Sequence, residues 1–205
     1  MIPLNLTSVK VFAILFPGNE VRRLYCGTNK VARQSQKQIA EAMMALLGEK
    51  PFSRISVSEL CKAAEISRQT FYSLFSSRES VMEFTLQARY CEGLELSMPE
   101  QAPEKGDLLP WLCRSCSGYI LRNRALIKLL VDNRIDYLLY DSFYDAMDSC
   151  ECFLRGEDPC LRSYAASFYA GGFACVARRY AEEGCSSSGD QLESLLETLL
   201  SGRLF

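Results

Sequence analysis

The stretch from Ser56 to Ser80, SVSELCKAAEISRQTFYSLFSSRES, restricts the fold more than any other part of the chain. Two short helical patterns stand almost back to back, with only Glu65 and Ile66 between them. Ser56-x-x-Glu59 has the spacing of a capping box, in which the Ser oxygen takes an orphan backbone N–H and the Glu reaches back. It predicts a helix through Ala64 with Val57, Leu60 and Ala64 turned inward. Ser67 caps the next helix, which runs through about Phe75. Phe71 and Phe75 lie four apart and so share one buried face. Ser76-x-x-Glu79 is a second capping box, opening a long helix that carries Val81, Phe84 and Leu86. Two rings are enough to hold the second short helix. That leaves Arg68, Gln69, Thr70, Tyr72 and Ser73 on faces the core does not need.

The same physics sets the rest of the chain. Ile39, Met43, Leu46 and Leu47 fall at helical spacing, so order is expected from near Gln34 to Gly48, before Pro51 forces a break. Phe52 and Ile55 are expected to plug the core from the connecting loop. Residues 98–107, MPEQAPEKGD, read as a loop. Helical patterns then cover Leu108 to Leu121, Ala125 to Val131 and Ile135 to Leu154, and Gly156 to Pro159 makes a further break. Leu161, Tyr164, Ala165, Phe168, Gly172, Cys175, Val176 and Arg179 trace one stripe of a long helix. Leu192, Leu195, Leu196, Leu199 and Leu200 give the i, i+3, i+4, i+7, i+8 pattern of another. No strand alternation and no repeat is visible, so the expected fold class is all-α. A helix-turn-helix domain of three helices at residues 30–80 precedes a larger helical domain at 81–205. Residues 1–29 read as an extension: VFAILF is apolar but short, and Pro17-Gly18 ends it. It is either a loosely ordered arm or a translation start placed too far upstream.

Composition removes several function classes. The chain contains no histidine, which eliminates Ser-His and Cys-His nucleophilic machinery and every His-ligated metal site. Its ten cysteines are many, but a chain of 205 residues is too long for a small disulfide-framed secreted module and no clear export signal precedes it, so they read as reduced cytosolic thiols. Cys113-x-x-Cys116 and Cys150-x-Cys152, with Cys160 and Cys185, suggest a thiol or metal sensor. Buried, inert cysteine is the expectation, with neither metal nor cofactor. Asp141 and Asp145, four apart on a helix, read as a wet face rather than a catalytic pair, so no enzyme is expected. No apolar run is long enough to span a bilayer, and a cytoplasmic protein without a membrane partner is expected. The net charge of −2 conceals an asymmetry: residues 28–80 carry +3, whereas residues 81–205 carry −7. A basic end on an acidic body points to a polyanion partner for that end alone.

Two helices joined by a tight turn make a helix-turn-helix, whose second helix fits the major groove of double-stranded DNA. An Arg can bond guanine and a Gln adenine, while Thr or Tyr meets a methyl group or a phosphate. The stretch ISVSELCKAAEISRQTFYSLFSSRESV resembles the DNA-binding region of TetR-family transcriptional regulators, and RQSQKQIAEAMMALL resembles the family's first helix. The likeness covers about residues 33–84. It implies that Arg68, Gln69 and Thr70 approach base edges and that Tyr72 lies on the backbone with Arg78, Ser56, Ser58 and Ser77. It also implies that Lys30 and Arg33 reach phosphates or the minor groove. One position departs: the family usually has Gly at the turn where this chain has Glu65.

Members of that family pair through their last two long helices. The resemblance therefore implies a homodimer interface at Leu161, Phe168, Gly171, Gly172, Cys175, Leu192, Leu195, Leu196 and Leu199. Two glycines in mid-helix destabilise it by about 1 kcal/mol each relative to Ala, which suggests close backbone approach at a dimer axis. The family also encloses an effector pocket, for which Trp111, Tyr119, Tyr137, Phe143 and Tyr144 are candidates, with the small molecule unidentified. FYAGGFACVARRYAEEGC further resembles a C-terminal segment of a subgroup that includes activators linked to dihydroxyacetone kinase operons. The implied function is a ligand-responsive regulator, most simply a repressor, on a near-palindromic operator. The alternative is a protein-interaction module or co-activator on the same scaffold.

Overall fold

The computed structural model of the protein describes residues 30–97, 107–148, 150 and 153–201, with the side chains of 90–97 excepted. The expected extension at 1–29, the loop at 98–106 and Cys152 lie outside the described residues. Among these residues every regular element is helical: α1 Lys30–Leu47, a 3-10 turn at Phe52–Arg54, α2 Val57–Ala63, α3 Arg68–Leu74, α4 Arg78–Ser97, α5 Leu108–Arg122, α6 Arg124–Asp132, α7 Leu138–Asp148, α8 Pro159–Glu182 and α9 Gly189–Leu200. The contacts divide the chain after Arg89 into two compact units. The boundary expected after residue 80 falls inside the first turn of α4.

In the N-terminal unit, α1 begins at Lys30, a turn earlier than the apolar spacing predicts. Its core face is Ile39, Ala40, Met43 and Leu47, all buried. Phe52 and Ile55 are buried as expected. The caps differ from the sequence pattern in instructive ways. Ser56 Oγ accepts from the Glu59 N–H at 3.2 Å, but the Glu59 carboxylate is taken by Lys50 instead of reaching back. At the start of α4 the reciprocal pair is Ser77 with Ser80, at 3.1 and 3.2 Å, and not Ser76 with Glu79. Ser67 caps α3 as expected, accepting from the Thr70 N–H at 3.0 Å.

The turn between α2 and α3 ends a helix in the Schellman manner. The Ile66 N–H bonds the Cys61 carbonyl at 3.0 Å and the Glu65 N–H bonds that of Lys62 at 3.3 Å, which requires a left-handed residue at Glu65, φ 55°. A second such ending follows α6, where Arg134 (φ 57°) holds the left-handed position and Ile135 N–H bonds Leu130 at 3.0 Å.

In the C-terminal unit α8 packs against α6, α7 and α9, and α5 lies along α9. The expected single helix from Ile135 to Leu154 is shorter, ending at Asp148. The physical reason is one arginine. Arg162, in the first turns of α8, donates to the carbonyls of Asp148 (2.7 Å), Cys150 (2.9 Å) and Phe153 (3.0 Å). It satisfies acceptors that a continued helix would otherwise have satisfied. Pro159 occupies the first turn of α8, and the Asp158 carboxylate caps it through the Cys160 and Leu161 N–H groups.

Candidate nucleic-acid interface

The core presents α3 in one orientation. Phe71, Leu74 and Phe75 are buried, and the Phe75 ring meets Phe71 at 6.0 Å and Phe84 at 5.6 Å. A buried Phe contributes roughly 1.5–3 kcal/mol, so seven residues hold a fixed rotation about the helix axis. The opposite face therefore points to solvent: Arg68, Gln69, Tyr72 and Ser73 are exposed and Thr70 half-buried. Arg68 donates to Ser58 Oγ at 3.3 Å, and Thr70 Oγ1 sits 2.9 Å from Ser67 Oγ. Arg68 thus ties the α3 face to the first turn of α2, where Ser56 and Ser58 are exposed. A cation, an amide and a phenol share one convex face without burial.

Arg78 is placed differently from the backbone-contacting role that the resemblance implies. Its guanidinium donates to the Phe52 carbonyl at 3.0 Å and also to the Ile55 carbonyl, and it lies 4.8 Å over the Phe52 ring. Glu79 completes its surroundings at 3.8 Å. Arg78 is a clamp on the segment that delivers Ser56 to the start of α2. Ser77, half-buried, is engaged with Ser80. Lys30 is exposed and Arg33 half-buried at the start of α1. Arg54 was missed from sequence. It is exposed one residue before Ile55, beside the capping Ser56, and carries no acidic partner among the described residues. Its position in a loop rather than on a helix face hid it.

The second exposed surface lies on α8 and α9. Leu161, Tyr164, Phe168, Leu195 and Leu199 are large apolar residues left in water, Phe168 at 67% exposure, and Cys175 is exposed on the same stripe of α8. A Cβ built on Gly171 meets nothing within 4 Å, and one on Gly172 makes ordinary contact with Leu200 at 3.5 Å. Packing inside this chain therefore demands neither glycine. Leu192 and Leu196 do not belong to this surface. Both are buried in the chain's own core, because α9 turns that face toward α5 and α8.

The aromatic candidates for a pocket do not line one cavity. Tyr119 and Phe143 are core residues, edge-on at 5.5 Å, with Phe143 against Phe173 at 5.8 Å. Tyr144 stacks on Tyr140 at 6.1 Å and its hydroxyl lies 3.4 Å from Ser163 Oγ. Tyr137 borders an open groove of about 370 Å³ between α7 and α8, shared with Tyr140, Asp136, Gly171, Cys175 and Arg178. The Asp136 carboxylate there pairs with Arg178. Trp111 keeps its indole N–H buried with no hydrogen-bond partner among the described residues.

The cysteine pair on α5 is buried. Burial, with Glu197 and Glu193 adding repulsion, pushes the Cys113 thiol up to about 12, and burial also raises Cys116. Neither is a thiolate near neutrality. Among the described residues no group of cysteine and carboxylate side chains is placed to hold a metal ion, and no helix is long and apolar enough to cross a membrane.

Comparison with known proteins bears on both units. The crystal structure of Lin0861 from Listeria innocua superposes with a TM-score of 0.68 at 16% identity, covering 87% of this chain and 94% of that one, a likeness of fold. A solved structure of the dihydroxyacetone kinase operon activator DhaS reaches a TM-score of 0.49 at 19% identity, over 82% of this chain and 95% of that one, too loose to carry an argument. In sequence, the HTH-type dhaKLM operon transcriptional activator DhaS of Lactococcus lactis subsp. lactis (strain IL1403) is 34% identical over 58 residues, 28% of this chain. That match spans 31% of the relative's own length. Residues 39–83 match the family model for bacterial regulatory proteins of the tetR family. The matched residues run from the core face of α1 through both short helices into α4, and the N-terminal unit is accordingly a helix-turn-helix domain of the tetR family.

Proposed function

We propose that this chain is a one-component transcriptional regulator that reads double-stranded DNA as a homodimer in the cytoplasm. The observation that carries the reading is the outer face of α3: Arg68, Gln69 and Tyr72 are exposed together while Phe71 and Phe75 fix the helix from behind. In this reading Arg68, Gln69 and Thr70 meet base edges in the major groove, Tyr72, Ser56, Ser58 and Ser77 meet phosphates, and Lys30, Arg33 and Arg54 add charge. Arg78 acts by holding the loop. The apolar stripe of Leu161, Phe168, Cys175, Leu195 and Leu199 is covered by a second copy, with the bare backbone at Gly171 and Gly172 at the axis. Two heads would then sit about one helical turn apart, ~34 Å or a multiple, on a near-palindromic site. A small-molecule effector repositions the heads, and repression by occupancy is the simplest sign. The unsatisfied indole N–H of Trp111 supports a polar contact for such a ligand. The reading assigns the chain no catalysis.

A mobility shift on the DNA flanking the protein's own gene tests this. The expected outcome is a salt-sensitive, sequence-selective complex, since phosphate contacts make affinity fall as salt rises. Its absence overturns the reading.

A second reading keeps the scaffold and replaces DNA-centred control by a partner protein, in the manner of a co-activator. The net charge of −7 on residues 81–205 favours a basic protein partner for that half. Co-purification of one protein in fixed ratio, with normal dimerisation and no affinity for DNA, selects it.

A further inference from the structure

We propose that Glu65 is an electrostatic brake on DNA binding, retained at the turn at the expense of local backbone strain; the proposal rests on the DNA-reading role of α3 argued above. The turn between α2 and α3 fixes its residue at φ 55°, a conformation that glycine adopts freely and a Cβ disfavours. The two Schellman bonds through Glu65 and Ile66 hold the turn in that conformation. A structural reason for a carboxylate here would be a hydrogen bond or an ion pair, and among the described residues Glu65 has neither. Its side chain is exposed. Lys62, one turn back, makes no ion pair with it, and Arg68, the nearest cation ahead, donates to Ser58 instead. What remains is an unneutralised negative charge two residues before the cap of the reading helix.

Phosphates that come within a Debye length of that carboxylate, about 8–10 Å, feel its charge. Repulsion of phosphate is independent of base sequence, so it subtracts equally from operator and non-operator binding. The ratio of the two affinities is untouched, while the absolute grip is loosened. A regulator with a loosened grip is released by a smaller change in the geometry of its two heads.

Charge and strain separate cleanly by substitution. Glu65→Gln removes the charge and keeps the left-handed strain. Glu65→Asn removes the charge and tolerates the conformation. Glu65→Asp keeps the charge. DNA affinity is measured for a short mixed-sequence duplex and for the duplex flanking the gene, with Tm alongside. Affinity is expected to follow charge: Gln and Asn raise binding to both duplexes by the same factor, about threefold per head and so about tenfold for a dimer, with a steeper salt dependence, and Asp leaves it as found. Tm is expected to follow conformation, with Asn above wild type. Equal affinity of the Gln variant and wild type overturns the brake, as does a gain on the gene-flanking duplex alone, which would make Glu65 a base-contacting residue. A Gln variant that loses Tm without any change in affinity makes it a stabilising acid and also overturns the brake. No complex with any variant removes the DNA-reading role itself, a result distinct from equal affinities across the series.

Discussion

The two units each leave one conspicuous face in water, and the faces are opposite in kind. On α3 the exposed face is Arg68, Gln69, Tyr72 and Ser73, groups that water solvates well. On α8 and α9 it is Leu161, Tyr164, Phe168, Leu195 and Leu199, with Tyr164 at 73% and Phe168 at 67% exposure. Leaving apolar area wet forfeits about 25 cal/mol per Å², whereas a polar face forfeits little. Contiguous apolar patches of this sort mark contact surfaces. All three helices bury another face, so the difference lies in what each is left to meet. The polar face suits a hydrated, charged and patterned surface. The apolar face suits a copy of itself.

The comparison can be broken from either side. The largest effect is expected where the polar face loses its support: Phe71→Ala leaves a cavity under α3 and should lower stability by about 3–5 kcal/mol, read by chemical denaturation. Next comes the apolar face. Phe168→Glu places a charge in the proposed seam and should weaken self-association by about 2 kcal/mol or more, seen by analytical ultracentrifugation, while the far-ultraviolet circular dichroism stays unchanged because Phe168 is largely exposed and, among the described residues, its ring meets only that of its chain neighbour Tyr169. An unchanged dimer would move the interface elsewhere. Arg68→Ala should leave Tm and self-association alone and weaken binding to the gene-flanking duplex by about 1–3 kcal/mol.

The smallest effect sharpens the base of the head. The Lys50 hydrogen bond holds the Glu59 carboxyl below its ordinary value of 4.5. A group depressed in the folded state contributes stability above its unfolded pKa, and that contribution disappears as pH falls through the folded one. The Glu59 side chain is only half-buried and solvent screens the pair, so Glu59→Gln should lower Tm slightly at neutrality and not at all below the folded-state pKa, slightly flattening the acid limb of a Tm-against-pH curve.

Local patterns were legible in the sequence and distant partners were not. Phe71 and Phe75 four apart, Ser67 as a cap and the alignment of Leu161 to Cys175 on one stripe follow from helical spacing, whereas the exposure of that stripe comes from the fold. Leu192 and Leu196 obey the same spacing as Leu195 and Leu199, and only the packing of α9 on α5 and α8 tells the buried pair from the exposed one. Arg78 is tied to carbonyls more than twenty residues earlier, and Arg162 ends α7 from the next helix. A capping-box spacing cannot reveal that Lys50 captures Glu59 first. Tyr119 and Phe143 show the limit for aromatics: helical spacing places them inward, and the fold makes that interior solid rather than hollow.

Hydrogen–deuterium exchange of the full chain, with and without the gene-flanking duplex, tests the central claim most directly. The account predicts that DNA slows exchange in peptides covering 56–59 and 67–73, while peptides of α8 are already slow in the free dimer and do not change. Protection by DNA on α8 or α9 with none on α3 would contradict it.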